Sequence, residues 1–288
     1  MVCPWSNRHL RPVGKEQVAT LMVWLVALGI TALFIWLLSD VIWQGGQAIN
    51  GAFLTQVPAK AGREGGIAPI LVSTGWVLGV CMGVSLPLGL GTALFLTEFS
   101  PQQSHRAIRL SLDILAGVPS IVFGLFGNAF FSKVLGLGFS ILSGGLTLAC
   151  MVLPILIRSI QVGLVNVPGE YRQASAALGL SRFGTLKTLI LPAALPGIAV
   201  GILLGIGRAI AETAALIFTS GYVDRMPTSV LDSGRVLSIH IFDLAMNIPG
   251  GEQNAYGTAL VLVILLILIN TLVSGLAERF RQSKLQIL

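Results

Sequence analysis

The chain has 288 residues, of which 54% are hydrophobic and only 10% are charged, and its formal net charge is +6. Soluble proteins carry a charge on about a quarter of their residues, so a soluble domain of this composition would need an implausibly large dry core. The composition therefore indicates an all-α polytopic membrane protein. Basic residues that face anionic lipid explain the positive charge, and nucleic acid is not expected as a partner.

Apolar stretches long enough to cross a bilayer recur along the chain, since a spanning helix needs about 20 residues. Six transmembrane helices are predicted, at residues 18–42, 67–97, 114–131, 139–157, 193–218 and 256–276. The third contains Gly117, Pro119, Gly124 and Gly127. Because glycine and proline interrupt helices, we expect this span to be short or broken.

The Lys and Arg residues are unevenly divided between the two ends of these spans, which predicts orientation. One side carries Arg8, Arg11, Lys15, Arg106, Arg109, Arg158, Arg172, Arg182, Lys187, Arg279, Arg281 and Lys284. The loops on the opposite side carry Lys60, Arg63, Lys133, Arg225 and Arg235. Both termini are therefore expected in the cytoplasm, an N-in/C-in arrangement.

A polar, helix-prone segment separates the fourth and fifth predicted spans on the cytoplasmic side. Pro168 suits the first turn of a helix, and Glu170 complements its dipole there. Gly179 can end that helix in the left-handed conformation, and Ser181 can cap the next helix. We predict two short helices joined by a glycine turn at the membrane surface. Physical chemistry alone allows an interfacial connector resting on lipid as an alternative.

This segment resembles the coupling motif of binding-protein-dependent ABC importer permeases, which reads EAA, three residues, Gly, nine residues and I-x-L-P. The matching positions are Gln173, Ala174, Ser175, Gly179, Leu189, Leu191 and Pro192. The resemblance implies that Gln173, Ala174, Gly179, Leu189 and Pro192 couple the chain to a cytoplasmic ATPase. Gln173 replaces the usual Glu, so the contact there is expected to be weaker or hydrogen-bonded.

Three further blocks resemble phosphate-importer permeases, above all their A-type subunit: LAGVPSIVFGLFG at 115–127, LPAALPGIAVGILLGIGRAIAET at 191–213 and NAYGTALVLVILLILIN at 254–270. The resemblance implies a type I ABC importer permease (MetI-like) fold in a prokaryotic inner membrane. Residues 67–276 would form the permease core, with the coupling segment at 164–190. Residues 1–66 would hold the N-terminal tail, first helix and outer loop, and residues 277–288 a cytoplasmic tail.

The same resemblance implies the partners of the chain. They are a C-type phosphate permease subunit that completes the pore, a dimeric cytoplasmic ABC ATPase, an extracytoplasmic phosphate-binding protein and the lipid membrane. The C-type subunit itself is an alternative identity for this chain. The wording LAGVPS and the short first outer loop favour the A-type subunit.

No enzyme activity, catalytic residue, cofactor or metal site is predicted for this chain. The motif G-x-x-x-x-G-K-[ST] is absent, so the chain has no P-loop for nucleotide. The stretch LSGG at 142–145 matches the ABC signature tetrapeptide, but it lies in an apolar span and is interpreted as small residues at a helix contact. The Cys and His residues are scattered, which favours neither a disulfide framework nor a metal site.

Arg208 and Glu212 stand out as charges inside the fifth predicted span. They are four residues apart, so they can share a helix face and pair. A charge at this depth is costly and usually faces a cavity or a partner. Arginine suits phosphate because its planar fork donates to two oxygens. With the family resemblance, Arg208, Glu212 and Thr213 are predicted to line the substrate pathway, and a purely structural ion pair is the alternative.

The outer loop at 220–255 has apolar and charged residues at helical spacing: Val236, Ile239, His240 and Asp243. They predict a helix at the outer interface, which would be either a solvated linker or a docking surface for the binding protein. For the chain as a whole, two function classes are open. One is the pore of an ATP-driven phosphate importer, and the other is a secondary carrier or channel for another oxyanion.

Overall fold

The computed structural model describes residues 13–99 and 104–285, and its regular secondary structure is helical apart from one small β-hairpin. The helices are α1 (Val13–Ala48), α2 (Gly51–Thr55), α3 (Ala68–Leu94), α4 (Ser104–Gly117), α5 (Ser120–Gly127), α6 (Ile141–Val165), α7 (Gly169–Ala177), α8 (Arg182–Thr185), α9 (Leu191–Ile210), α10 (Ala214–Ile217), α11 (Leu237–Met246) and α12 (Glu252–Leu285). Strands β1 (Pro58–Ala59) and β2 (Glu64–Gly65) pair antiparallel.

Three π-helical stretches extend these helices. Phe95–Phe99 continues α3, Asn128–Val134 continues α5, and Leu186–Ile190 joins α8 to α9. Arg8 and Arg11, which contribute to the predicted cytoplasmic position of the N-terminus, lie outside the described residues. Residues 286–288 of the predicted cytoplasmic tail lie outside them as well.

Five continuous helices are long and apolar enough to span a membrane, and they match the first, second, fourth, fifth and sixth predicted spans. They cover Glu16–Ala48, Ala68–Phe99, Ile141–Val165, Arg182–Ile210 and Glu252–Arg279. A bent helix pair supplies a sixth span if its two arms are taken together. The prediction of six spans therefore holds in this form, with longer helices than predicted at most ends.

The third predicted span, at 114–131, is broken. Its two arms, Arg106–Gly117 and Ser120–Val134, meet at an angle of 95°. Pro119 has an extended backbone (φ −59°, ψ 142°) immediately before α5. Proline disfavours the helical conformation in the residue before it and lacks an N–H to donate, which is why the helix stops at Gly117. The prediction of a break was correct, but its start at residue 114 was too late because α4 begins at Ser104.

The fifth span ends earlier than predicted. The helix ends at Ile210 rather than at residue 218, and the short helix α10 follows after residues 211–213. The Glu212 carboxylate accepts a hydrogen bond from the backbone N–H of Ala215 at 3.2 Å. A side chain that satisfies an N-terminal amide of a new helix stabilises a restart at that point.

Helices α3, α6 and α9 form the core of the molecule. Leu148, Val152, Leu156 and Ile160 of α6 are fully buried between the two neighbours. Glycines bring the helices close together: a Cβ built on Gly163 of α6 would lie 2.8 Å from Cα of Gly197 on α9. Small residues allow such backbone proximity in membrane bundles.

The stretch at 142–145 serves the same purpose. A Cβ on Gly144 would lie 2.8 Å from Cβ of Ser220, and a Cβ on Gly145 would lie 2.5 Å from Val80 of α3. The interpretation of this tetrapeptide as a helix contact is therefore confirmed.

The outer side contains α11, the hairpin and the start of α12. The helix predicted in the outer loop exists, but Leu237, Ile239 and Leu244 are buried, with α11 packed on α12 and α3. One side of this helix is therefore packed into the protein, and its position at the outer interface stays a prediction. Asn254 at the start of α12 donates to the Gly62 carbonyl of the hairpin at 2.8 Å.

Candidate functional site

Arg208 and Glu212 form an ion pair at the point where the fifth span ends. The distance between Arg208 Nη2 and Glu212 Oε2 is 3.6 Å. Arg208 occupies the last turn of α9, and Glu212 lies just beyond the helix. The predicted pairing is therefore present, although the two side chains do not share a continuous helix face as expected. Thr213 follows in the same break, half-exposed, at the N-cap position of α10.

The two members of the pair have different environments. The Glu212 side chain is 5% exposed, whereas the Arg208 side chain is 50% exposed. Glu212 is held by the hydrogen bond to Ala215, and its own carbonyl accepts a bond of 2.6 Å from the Ser238 hydroxyl of α11. A buried carboxylate thus lies beside a half-exposed guanidinium.

The break in the fifth span packs against the broken third span. A Cβ on Gly124 of α5 would lie 2.8 Å from Cα of Ala215 in α10. Asn128 Nδ2 donates to the Phe218 carbonyl at 2.7 Å. Discontinuous helices that meet inside a membrane protein place helix ends and unpaired backbone groups at one site, which is a common way to build an ion site. The predicted interruption of the third span and the unpredicted interruption of the fifth therefore form one structural feature.

The Arg208 side chain is only partly covered by this protein. Its nearest side-chain partner on α6 is the Met151 sulfur, 3.9 Å from Nη2, and Gly207 beside it has no atom within 4 Å of a built Cβ. An arginine facing hydrocarbon costs about 2.5–3.5 kcal/mol on insertion scales, so such residues face protein or a water-filled cavity. The surface around Arg208 is thus suited to an aqueous path or to a second subunit.

The cytoplasmic segment has the predicted local structure. Gly179 follows α7 with φ +68°, and the Ser181 hydroxyl accepts a 3.1 Å hydrogen bond from the Gly184 amide at the start of α8. Pro168 precedes the helix as its N-cap, one position earlier than predicted. Glycine adopts the left-handed conformation without the steric cost of a Cβ. The glycine turn between two capped helices is therefore confirmed.

The residues predicted to couple to an ATPase divide into two groups. Gln173, Ala174 and Gly179 are exposed, together with the large apolar side chains of Leu178 (77%) and Phe183 (70%). Leu189 and Pro192 are half-buried where the segment continues into the fifth span. Exposed apolar residues rimmed by polar ones mark interaction sites. This arrangement leaves α7 and the glycine turn free to contact another protein.

Arg172 and Glu98 are functional candidates that the sequence interpretation missed. Arg172 Nη2 lies 2.7 Å from Glu98 Oε1, and Nε lies 3.3 Å from Oε2, so the contact is bidentate. Arg172 also donates to the carbonyls of Val167 and Leu164 at the end of α6. In sequence, Arg172 is one basic residue among many and Glu98 is 74 residues away. No local pattern could have connected them.

The outer loop contains a second charged cluster, which is mostly buried. Arg235 Nη1 lies 3.3 Å from Asp243 Oδ2, with side-chain exposures of 11% and 15%. The ring of His240 is buried and Nδ1 lies 3.4 Å from Arg235 Nη1. Burial, with the neighbouring Arg235 charge, lowers the pKa of His240 from 6.5 to about 4. These residues hold the loop together and present little surface to a docking partner.

Comparison with known proteins places these features in a family. Residues 85–285 match the family model described as "Binding-protein-dependent transport system inner membrane component". A probable ABC transporter permease protein, YqgI of Bacillus subtilis, is 32% identical over 88% of this chain and 92% of its own length. The phosphate transport system permease protein PstA of Mycobacterium leprae is 32% identical over 94% of this chain and 92% of its own.

The fold has relatives among solved structures. A structure of the MetNI methionine ABC transporter in inward-facing conformations superimposes with a TM-score of 0.56. It covers 85% of this chain and 96% of the solved chain, at 17% sequence identity. The likeness supports the MetI-like fold expected from the sequence.

Proposed function

The chain belongs to the family of binding-protein-dependent transport system inner membrane components, and we propose that it is the A-type permease subunit of an ATP-driven phosphate importer. As a family member it is a multi-pass inner-membrane permease of an ABC importer. Permeases of this kind work with a partner permease, a separate ATPase subunit and a substrate-binding protein. The substrate and the specific partners belong to the proposal.

The half-exposed Arg208 beside the buried Glu212 is the observation that carries the proposal. Its guanidinium stays charged at every physiological pH and can donate two parallel hydrogen bonds to a phosphate. Glu212 competes for the same guanidinium at 3.6 Å. A competing carboxylate weakens anion binding, and a transport site must release its ion after binding it. Thr213, in the same break, supplies a hydroxyl to the path.

Phosphate is favoured over other anions by the relatives. The Mycobacterium leprae relative is a phosphate transport system permease, whereas the name of the Bacillus subtilis relative specifies no substrate. The A-type assignment is likewise supported by the name of the mycobacterial relative and by the LAGVPS block. The C-type subunit remains the alternative within the same system, and a related oxyanion is the alternative substrate.

We propose that a second permease subunit packs over the exposed part of the Arg208 side chain. The α3 glycines Gly75, Gly79 and Gly83 lie four residues apart and have no atom within 4 Å of a built Cβ. Such glycine faces let a second helix approach closely in a membrane. These exposed faces support the C-type subunit as the partner that completes the pore.

The coupling segment supports an ATP-driven rather than a self-sufficient mechanism. Gln173, Ala174 and Gly179 present an exposed surface next to Leu178 and Phe183. Leu189 and Pro192 lie where this surface continues into α9, which leads directly to Arg208. A secondary carrier or channel has no need for a protein-binding surface joined in this way to its ion site. We therefore favour docking of a dimeric ATPase on this segment.

Reconstitution tests the proposal. Proteoliposomes holding this chain, a C-type permease, the ATPase and a loaded phosphate-binding protein should take up labelled phosphate only when ATP is present inside. Arg208→Ala should reduce uptake about a hundredfold, the scale expected for loss of a charge-assisted bidentate contact. Assembly and membrane level of the complex should be unchanged, because Glu212, and not Arg208, makes the hydrogen bonds that hold the break in the helix.

Two comparisons make the test specific. Arg279→Ala removes an exposed arginine near the end of α12 and should leave uptake unchanged. Arg208→Lys keeps the charge but loses the fork, and we expect it to transport phosphate more slowly than the unaltered protein. Normal uptake by Arg208→Ala would overturn the role of this residue. ATP-driven uptake of a different oxyanion but not of phosphate would overturn the substrate assignment.

A further inference from the structure

We propose that Arg172 and Glu98 are positioning residues that fasten the coupling helix α7 to the end of α3. This inference rests on the proposed coupling function, because it concerns how movement of α7 reaches the membrane helices. It adds a third connection to the two that the polypeptide provides, from α6 into α7 and from α8 into α9.

Arg172 makes four hydrogen bonds that join three elements. Two go to Glu98 in the π-helical end of α3, at 2.7 and 3.3 Å. The others go to the Leu164 carbonyl in the last turn of α6, at 3.3 Å, and to the Val167 carbonyl in the connecting turn, at 3.1 Å. The last carbonyls of a helix lack intrahelical partners and carry partial negative charge. One side chain thus ties α7 to both α3 and α6.

The polar contact between Arg172 and Glu98 matters for the position of α7 because few apolar side chains pack between this helix and the membrane helices. A cavity of about 230 Å³ lies between α7, the end of α3 and the start of the fifth span, lined in part by Glu98, Arg172, Ser175 and Leu186. Without a continuous apolar contact, a short helix between a proline turn and a glycine turn can change its angle. The bidentate geometry restricts that angle more than a single hydrogen bond would.

The Arg172–Glu98 pair is partly buried, so its contribution to stability should exceed that of an exposed ion pair. The side chains of Arg172 and Glu98 are 33% and 18% exposed, whereas the other cytoplasmic pair between helices, Arg158 with Asp113, is 44% and 54% exposed. Exposed ion pairs contribute little, while partly buried charged hydrogen bonds contribute more. Ser175 adds to the rigidity by donating to the Arg172 carbonyl at 2.9 Å.

The consequence is that α3, α6 and α7 move together when an ATPase displaces α7. Helix α3 packs along α6 through the core, so the movement would enter the membrane through these helices as well as through α9. Without the fastening, part of the displacement would be lost as rotation of α7 on its two turns.

The test measures coupling and local stability in the complete reconstituted complex. Glu98→Gln keeps the size of the side chain but removes the charge. We expect the number of ATP molecules hydrolysed per phosphate transported to rise about tenfold, the lower end of the scale for one charged hydrogen bond. Amide hydrogen exchange in residues 169–177 should accelerate, while exchange in α6 and α9 stays unchanged. Arg172→Lys should give a ratio of ATP to phosphate between those of the unaltered protein and Glu98→Gln, because lysine keeps the positive charge but cannot make the bidentate contact.

Asp113→Asn is the matched control, since it breaks the more exposed pair that does not include α7. It should leave both the ATP ratio and the exchange of residues 169–177 unchanged. A Glu98→Gln complex with an unaltered ATP ratio overturns the inference. If the unaltered complex itself transports no phosphate, the proposed function fails instead. In that case the exchange measurement still tests the role of Arg172 and Glu98. Unchanged exchange of residues 169–177 in Glu98→Gln overturns that role, and faster exchange supports it.

Discussion

The ion-pair region at the end of α9 and the coupling segment at 164–190 are held in place by different forces. Around Glu212, backbone and glycine contacts from α5, α10 and α11 fix the break in the helix. The coupling segment depends on a capping serine, a left-handed glycine and one ion pair. The first region is rigid because it is packed, and the second is positioned while most of its surface stays free.

This difference suits the two proposed tasks. An ion site must hold its donors within a few tenths of an ångström, which close packing achieves. A docking surface must expose apolar side chains such as Leu178 and Phe183, so it cannot bury them for its own stability. Changes in packing should therefore damage the first region most, and changes in local backbone chemistry the second.

The largest expected effect is a loss of folding stability at low pH, caused by His240 on α11, the helix that packs against Glu212. The pKa of buried His240 is about 4 in the folded protein, compared with 6.5 when unfolded. The unfolded chain therefore binds more protons between these values, and stability should fall by about 3 kcal/mol as pH drops from 6.5 to about 4. Thermal unfolding in detergent measures this loss. The charges of Arg235 and Asp243 beside the ring are the same in the unaltered protein and in the control variant His240→Gln.

His240→Gln is the control for this prediction, because its side chain cannot be protonated in that range. The stability of this variant should depend less on pH between 6.5 and 4. An identical acid dependence in both proteins would mean that other groups cause the loss.

The close contact between α6 and α9 should produce the next largest effect. A Cβ placed on Gly163 would lie 2.8 Å from the Gly197 backbone, and the same contact constrains Gly197. Gly197→Ala must separate the two helices, at a cost of about 1–3 kcal/mol. Gly207→Ala on the same helix has open space around it and should not reduce the yield of folded protein. Size-exclusion profiles and melting temperatures of both variants measure the difference.

A smaller effect is expected at the glycine turn of the coupling segment. Gly179 has φ +68°, a conformation that costs a residue with a Cβ about 1–2 kcal/mol. Gly179→Ala should weaken co-purification of the ATPase while the membrane helices keep their stability. Gly169→Ala, at the start of α7 and without a left-handed φ, is the control. Equal ATPase recovery with both variants would contradict a role for the turn geometry.

The smallest effect is expected at Gln173, where the family motif has Glu. Gln173→Glu adds an exposed charge and should strengthen ATPase binding by about 0.2–1 kcal/mol. This gain should become smaller as the salt concentration rises. Titration of the ATPase at low and high ionic strength measures it. A gain in affinity that does not change with salt would indicate an altered contact rather than the added charge.

Much of the architecture followed from sequence, and the exceptions have identifiable causes. Hydropathy located the spans because burial in lipid requires long apolar helices. Gly179 and Ser181 were assigned correctly because their chemistry acts within a few residues. The end of the fifth span was wrong by eight residues, since the apolar pattern continues through a break that Glu212 and α11 stabilise.

The outer helix shows the same limit. Its helical spacing was visible, but its burial depends on α3 and α12, which lie far away in the chain. The residues Arg235 and Asp243 resembled surface charges and are instead a sheltered pair.

By itself, the sequence determined the membrane class, the number of spans, the segment that resembles the coupling motif and the spacing that lets Arg208 pair with Glu212. Only the tertiary structure decided that the two broken spans meet, that Glu212 is buried while Arg208 is exposed, and that Arg172 reaches Glu98. The reason is physical. Hydropathy and capping act over a few residues, whereas burial and ion pairing depend on which distant helices lie side by side.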